Sequence, residues 1–404
     1  MASPLLYRKL RLDDKMANSA IVQLLISNED VAARVTTLIL GHDQMDENES
    51  EDEDGEQSDA LDLRSILLAC RNLHFIRIIT KSYLAFPWTL SFAALDFPVV
   101  TCITSLDLPF GHDASTTTAQ LLLMVPNLIY LALERRCPND DEEYTHPALP
   151  SCHPQTRLEE FHLTCDEGKG NPLSGLSAII AASRHSLKEL SVSVTSEAAS
   201  HSKIETLAQE LADCSRFPAV EKLHLFEIRE EVTPFGWIKL LNHFPALQHI
   251  LVDFTACEST SRSFDHVSPC LEALCELRCT PLLQSISLNT PGIFKLDNFA
   301  HLKIGLLDSL QNIHLRSELL QKEEVAIPGL LESQEQFLTL VEQMQGPEIE
   351  NALAHFKGCA VEIELGYGAD RPLWKASNVG PPGLHWCHEI SRTEYIEMEL
   401  YPDF

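Results

Sequence analysis

One pattern of apolar and polar positions recurs along the chain: apolar-x-x-apolar-x-apolar. It reads VTTLIL (35–40), LHFIRI (73–78), ITSLDL (103–108), LIYLAL (128–133), LEEFHL (158–163), LKELSV (187–192), VEKLHL (220–225), LQHILV (247–252), LQSISL (283–288) and LQNIHL (310–315). The first residues of successive copies lie 25–38 positions apart. The alternating half of each copy predicts a short strand, with the fourth and sixth positions inward and the third, fifth and seventh outward. Between the strands, apolar residues recur at three and four, as amphipathic helices require. These stretches are AQLLLMV (119–125), LSAIIAAS (176–183), IETLAQELADC (204–214), FGWIKLLNHF (235–244), CLEALCELRC (270–279) and FAHLKIGLLDSL (299–310). Pro126, Pro218, Pro245 and Pro281 each stand two residues before a copy begins, and Pro98 stands five residues before Ile103. Proline lacks the amide N–H and disfavours helix in the residue before it, so it separates helix from strand.

A strand and a helix repeated about every thirty residues resemble the unit of a leucine-rich-repeat solenoid. The resemblance covers residues 35–315 and implies an α/β fold, an irregular solenoid with parallel strands on a concave face and helices outside. Regular repeats carry Asn or Cys three positions past the last strand apolar. Here those places hold Asp43, Lys81, Gly111, Arg136, Asp166, Thr195, Ile228, Thr255, Pro291 and Glu318. An asparagine ladder is therefore absent, and the implied form is the irregular, F-box-type variant. After residue 328 the pattern changes to one further helical stretch, LLESQEQFLTLVEQMQ (330–345), and a strand, AVEIELGYG (360–368). The expected organisation is an N-terminal cap or junction at 1–34, a repeat array at 35–328 and a C-terminal cap at 329–404.

The opening stretch SPLLYRKLRL (3–12) has the apolar density of a packed segment. Leu5, Leu6, Tyr7, Arg8, Leu10 and Leu12 resemble the LLYRxLxL segment that follows the F-box in fungal F-box proteins with leucine-rich repeats. Asn28, Val31, Ala32 and Val35 match the later family phrase N-P-x-L-A-x-x-V, with Glu29 in place of its proline. The F-box itself, which would precede Ser3, is not in this sequence. The resemblance leaves a truncated family member, an F-box-less relative and an ordinary capping segment as alternatives.

Charge narrows the partners. The chain has 404 residues and a formal net charge of −29, which opposes nucleic acid and favours basic protein partners. Ten of the acids lie between Asp43 and Asp59, a stretch with no Lys or Arg, and such a block predicts a disordered insertion at 43–59. No run of 18 apolar residues marks a membrane span, and the first thirty residues have no signal-peptide core. Twelve scattered cysteines read as buried free thiols of a cytoplasmic or nuclear protein.

No G-x-S-x-G, H-E-x-x-H, G-x-x-x-x-G-K or G-x-G-x-x-G motif occurs, so the expectation is a non-enzyme with no cofactor. His266, Cys270, Cys275 and Cys279 could be metal ligands by type. One continuous helix cannot wrap four of them round a zinc ion, so no metal is expected there, nor at HWCH (385–388). The outward strand positions are the candidate protein-binding residues: Tyr130, His162, Lys222, His224, Phe226, His249, His314 and Arg316. The function expected from the resemblance is that of a scaffold like the substrate-recognition part of an F-box ubiquitin-ligase adaptor. It would meet the ligase adaptor subunit only through an upstream F-box. The alternative is a stand-alone repeat scaffold that recruits a basic protein.

Overall fold

Each of the ten recurring segments forms a strand, and each strand begins at the third residue of its copy. A computed structural model of the chain describes residues 8–12, 20–41, 61–79, 88–89, 100–111, 115–135, 148–165, 171–194, 203–214, 216–228, 232–254, 267–276, 280–290, 309–319, 359–367, 374–377 and 385–386. They belong to two units, Met1–Ser200 and His201–Phe404.

The first unit runs β1 (Lys9–Leu12), α1 (Ala20–Ser27), α2 (Glu29–Ala32), β2 (Thr37–Leu40), β3 (Leu61–Asp62), α3 (Leu63–Ala69), β4 (Phe75–Ile78), β5 (Trp88–Thr89) and β6 (Ser105–Phe110). It continues with α4 (Ser115–Met124), β7 (Tyr130–Arg135), β8 (Glu160–Cys165), α5 (Leu176–Ile180) and β9 (Glu189–Val194). The strands β1, β2, β4, β6, β7, β8 and β9 pair in that order, all parallel. The short β3 and β5 pair separately. The second unit runs α6 (Lys203–Ala212), β10 (Lys222–Ile228), α7 (Pro234–Leu241), β11 (His249–Phe254), α8 (Val267–Glu276), β12 (Ser285–Thr290), β13 (Asn312–Leu319) and β14 (Ala360–Tyr367). Its strands β10 to β14 are parallel; β15 (Trp374–Ser377) and β16 (His385–Trp386) then add antiparallel. Each unit is α/β with parallel strands following one another in sequence order, an arrangement compatible with a solenoid-like fold.

Register explains why the pattern is so regular. Third position pairs with third and fourth with fourth, as in Ser105↔Tyr130↔Glu160↔Glu189 and Leu106↔Leu131↔Phe161↔Leu190. The fourth and sixth positions therefore form two continuous buried rows, from Leu10 and Leu12 to Leu190 and Val192 in the first unit, and from Leu223 and Leu225 to Ile313 and Leu315 in the second. The first position of each copy is buried as well, from Val35 to Leu310. A second device operates where each strand begins. The second-position carbonyl accepts the N–H groups of both the second and third residues of the next copy. Thr104 O takes Ile129 N at 2.8 Å and Tyr130 N at 3.0 Å, Ile129 O takes Glu159 N at 2.8 Å and Glu160 N at 3.1 Å, and Glu159 O takes Lys188 N at 2.7 Å and Glu189 N at 3.0 Å.

The opening stretch belongs to this ladder. Arg8 O takes Thr36 N at 2.9 Å and Thr37 N at 3.1 Å, and Leu10 and Leu12 of β1 extend the buried rows. Residues 8–12, RKLRL, thus occupy the second to sixth places of a further copy. The phrase that follows is a capped turn: the Asn28 side chain accepts from Val31 N at 3.2 Å and starts α2. Glu29 stands first in that helix, where proline is favoured for its fixed φ and a carboxylate for the helix dipole, so either residue suits the site.

The turns before the strands carry their own links. Pro126, Pro218, Pro245 and Pro281 each open a two-residue turn. Asn72 Nδ2 donates to Ala33 O at 2.7 Å and Asn127 Nδ2 to Thr101 O at 2.8 Å, each joining equivalent places in adjacent copies. Gly41 ends β2 at φ +102°, and a Cβ there would fall on the Ile79 carbonyl. Helices α4, α5, α6, α7 and α8 lie on the expected stretches, with Trp237 of α7 edge-on to Phe254 of β11, ring centroids 6.3 Å apart. The return from β7 to β8 has no helix among its described residues and is instead held by buried Leu149, Cys152 and Leu158. Arg135, at the inward end of β7, is fully buried over the Phe110 ring and donates to the Pro172 carbonyl. The expected acidic insertion at 43–59 and the helices at 299–310 (apart from its last two residues) and 330–345 lie outside the described residues.

The inward and outward rows should differ in energetic weight. Leu223→Asp or Leu225→Asp would bury an unpaired charge and cost several kcal/mol or more. Lys222→Ala and His224→Ala should change stability by about 0.5 kcal/mol or less. Thermal melts check this, and equal losses in the two classes would contradict the assignment of faces.

Candidate functional site

Because the copies are in register, residues on the open face of the sheet stand in lateral rows about 4.8 Å apart, the spacing of neighbouring strands. In the first unit the third-position row contains Tyr130, Glu160 and Glu189, and the fifth-position row contains Arg77, Asp107, Ala132, His162 and Ser191. Glu134 follows at the seventh position of the copy that forms β7. Tyr130 and His162 meet diagonally, with ring centroids 5.2 Å apart and planes tilted by 41°. Arg77 Nε lies 3.0 Å from Asp107 Oδ2, and His162 Nε2 lies 4.0 Å from Glu189 Oε1, an ion pair only when the imidazole is protonated.

The face is acidic and partly withdrawn from water. Burial raises the Asp107 carboxyl above its ordinary value, the Arg77 guanidinium opposes that shift, Glu134 adds to it and His162 opposes it. Burial likewise raises Tyr130, and the charges of Asp107 and Glu160 push the same way. These couplings place Arg77, Asp107, Tyr130, Glu134, Glu160, His162 and Glu189 within one electrostatic neighbourhood.

The second unit collects the other expected residues into a looser set. Exposed Lys222 is in register with His249, and His224 lies edge-on to Phe226, centroids 6.3 Å apart at 74°. The β10–β11 register shifts between Leu225 and Ile228, so Phe226 sits in a bulge and not in a regular seventh-position row. His314 Nδ1 is 3.3 Å from Ser287 Oγ of the adjacent strand. Arg316 pairs in register with Asn289 and Glu364; its side chain lies outside the described residues.

Sequence reasoning placed Tyr130 and His162 on one face without joining them, and it omitted Arg77, Asp107, Glu134, Glu160 and Glu189. The signal was available, since Arg77 and Asp107 both stand fifth in adjacent copies, LHFIRI and ITSLDL. Among the described residues, no group of three or more His, Cys, Asp or Glu side chains could hold a metal ion. Of the suspected metal set, Cys270 is buried in α8, while His266, Cys279 and the side chain of Cys275 lie outside the described residues. The described cysteines are free thiols, and burial pushes Cys152 up to about 12 and Cys70 up to about 11, so both stay protonated at neutral pH. No helix among the described residues is long and apolar enough to cross a membrane.

Comparison with protein-family models and with curated proteins finds no match.

The Arg77–Asp107 pair gives a pH-dependent test. A carboxyl raised above its ordinary value of 3.8 holds its proton more tightly in the fold, so its charge costs stability above the raised value and the cost is gone below 3.8. At pH 7, Arg77→Ala should lower the melting temperature more than Asp107→Asn, because it leaves the half-buried carboxylate beside Glu134. As pH falls toward 4 and Asp107 protonates, the gap between the variants should close. A gap that widens on acidification would contradict the coupling.

Proposed function

We propose that this chain is a non-enzymatic protein-interaction scaffold of the leucine-rich-repeat kind, and that the open face of its sheet holds a protein partner. The observation that carries the reading is the in-register row structure. Polar, charged and aromatic side chains at third, fifth and seventh positions are held by a backbone whose other face is buried, so they form a fixed and extended recognition surface. Rigid scaffolding of this sort lowers the ordering cost of binding. The sequence resemblance to fungal F-box proteins with leucine-rich repeats gives the reading its biological form: substrate capture for a ubiquitin ligase, in the cytoplasm or nucleus. The adaptor contact in such proteins belongs to the F-box helices and maps to no residue here. The second reading, a stand-alone scaffold for a basic protein, is favoured by the net charge of −29 and by the carboxylates on the open face of the first unit.

In-cell crosslinking with mass spectrometry tests the shared core of both readings. Proteins crosslinked to the wild type should fall at least about five-fold with a Tyr130→Ala, His162→Ala, His249→Ala and His314→Ala variant whose circular dichroism is unchanged. They should persist with Ile26→Ser, Leu123→Ser and Phe235→Ser, which alter exposed apolar residues of the helices. The reverse outcome would overturn the assignment of the binding face.

A further inference from the structure

We propose that Cys70 and Cys102, carried by adjacent copies of the first unit, are a dithiol site that a low-molecular-weight disulfide such as oxidised glutathione converts reversibly to an intrachain disulfide. Such a staple is independent of whatever the open face binds. Both thiols stand in the turns that precede strands. Cys102 is the last residue before ITSLDL (103–108), the place held by Asn72 before LHFIRI and by Asn127 before LIYLAL. Side chains at that place reach back to the turn of the preceding copy, as Asn72 does to Ala33 O at 2.7 Å and Asn127 to Thr101 O at 2.8 Å. Cys102 turns the same way, for its sulfur accepts the N–H of Leu73, the first residue of the preceding copy. That same Leu73 N lies 3.1 Å from Cys70 O, and the turn it closes folds Cys70 back beside the start of its copy. His74 Nδ1 lies 2.9 Å from Cys102 O and ties the two turns together. Neighbouring strands stand about 4.8 Å apart, a step of the size that a disulfide spans between Cα atoms, about 4.4–6.8 Å.

The two thiols are unequal, which gives them separate roles. Cys70 is fully buried and Cys102 is partly exposed. Burial pushes Cys70 up to about 11, and the nearby Cys102 adds to the push. Burial raises Cys102 too, but the N–H groups of Cys102, Leu73 and Ile103 oppose that rise. Cys102 is therefore the thiol that meets the oxidant, and Cys70 is the one that completes the bond. The Cys102 thiolate attacks one sulfur of oxidised glutathione; that S–S bond breaks, and one glutathione leaves as a thiolate and takes up a proton. Cys70 then gives its proton to solvent and attacks the Cys102 sulfur of the mixed disulfide, and the second glutathione leaves and is protonated in turn. Two cysteine thiols are oxidised, and one disulfide is reduced to two thiols. Since both cysteines hold their protons at neutral pH, closure is slow there and answers sustained rather than brief oxidation. The bond would link the two copies whose fifth residues are Arg77 and Asp107, and by cross-linking the unfolded chain it would raise resistance to heat.

The test uses the full chain, held under oxidised glutathione, quenched with N-ethylmaleimide in denaturant and mapped by mass spectrometry without reduction. A peptide pair joined through Cys70 and Cys102 is expected, and dithiothreitol should abolish it. Its formation should speed up about ten-fold from pH 7 to pH 8, as the thiolate fraction does below the pKa. Cys102→Ser should leave Cys70 at least about five-fold less oxidised than in the wild type, because the buried thiol has lost its only route to the oxidant. Cys70→Ala should stop the reaction at the mixed disulfide, with at least about five-fold more glutathione on Cys102. The oxidised wild type should melt above the reduced form, and Cys102→Ser should show no such gain. Cys70 that stays reduced while Cys102 carries glutathione, Cys70 that pairs with another cysteine, or two thiols that both stay unreacted at pH 8 would overturn the site.

Discussion

A single strand of this chain cannot bury its own apolar side, and the rest of the structure follows from that constraint. The fourth and sixth positions of each copy point inward, and only the equivalent positions of the neighbouring copies can cover them laterally. A one-residue slip between two strands would carry every leucine of one strand to the open face, so register is strongly enforced. The shared second-position carbonyl adds a polar restraint on the same register. It accepts two N–H groups from the next copy where the strand begins, before the apolar rows are engaged. With register fixed from both sides, the open face inherits its order without further interactions of its own.

That order is what turns a periodic sequence into a surface. Arg77 and Asp107 lie thirty residues apart in the chain and 3.0 Å apart in space because both stand fifth in their copies. The same logic sets Tyr130 against His162 and places small Ala132 between larger neighbours. Recognition by such a face depends on rows rather than on any one residue.

Much of this was legible in the sequence, and the limits have physical causes. The ten strands were readable because alternating leucines and isoleucines leave one face buried in each copy, and the four turn prolines marked where strands would follow. β1 was not read as a strand, because it has only two leucines, alternating with Lys9 and Arg11; only pairing with Thr37–Leu40 distinguishes it from a cap or junction. The bulge at Phe226 was not read, although VEKLHLFEI breaks its alternation there: Glu227 stands where an inward apolar residue would follow Leu225, and buried Ile228 comes one place late. The coil between β7 and β8 buries Leu149, Cys152 and Leu158 with no helical period to announce it. The acidic neighbourhood of Asp107 needed the register, since its members are spread from residue 77 to residue 189.

The most direct measurement of the central claim is site-resolved amide hydrogen exchange in the native chain, at the second and third positions of the copies. Glu159, Glu160, Lys188, Glu189, Gln248 and His249 stand at strand beginnings with side chains that reach solvent, so local exposure alone would let their amides exchange quickly. If register is locked by shared carbonyls, these amides should be slowed at least about a hundred-fold relative to unstructured peptide, and to a similar degree within each unit. Exchange at the rate of free turns, or protection that differs at random from copy to copy within a unit, would contradict the account.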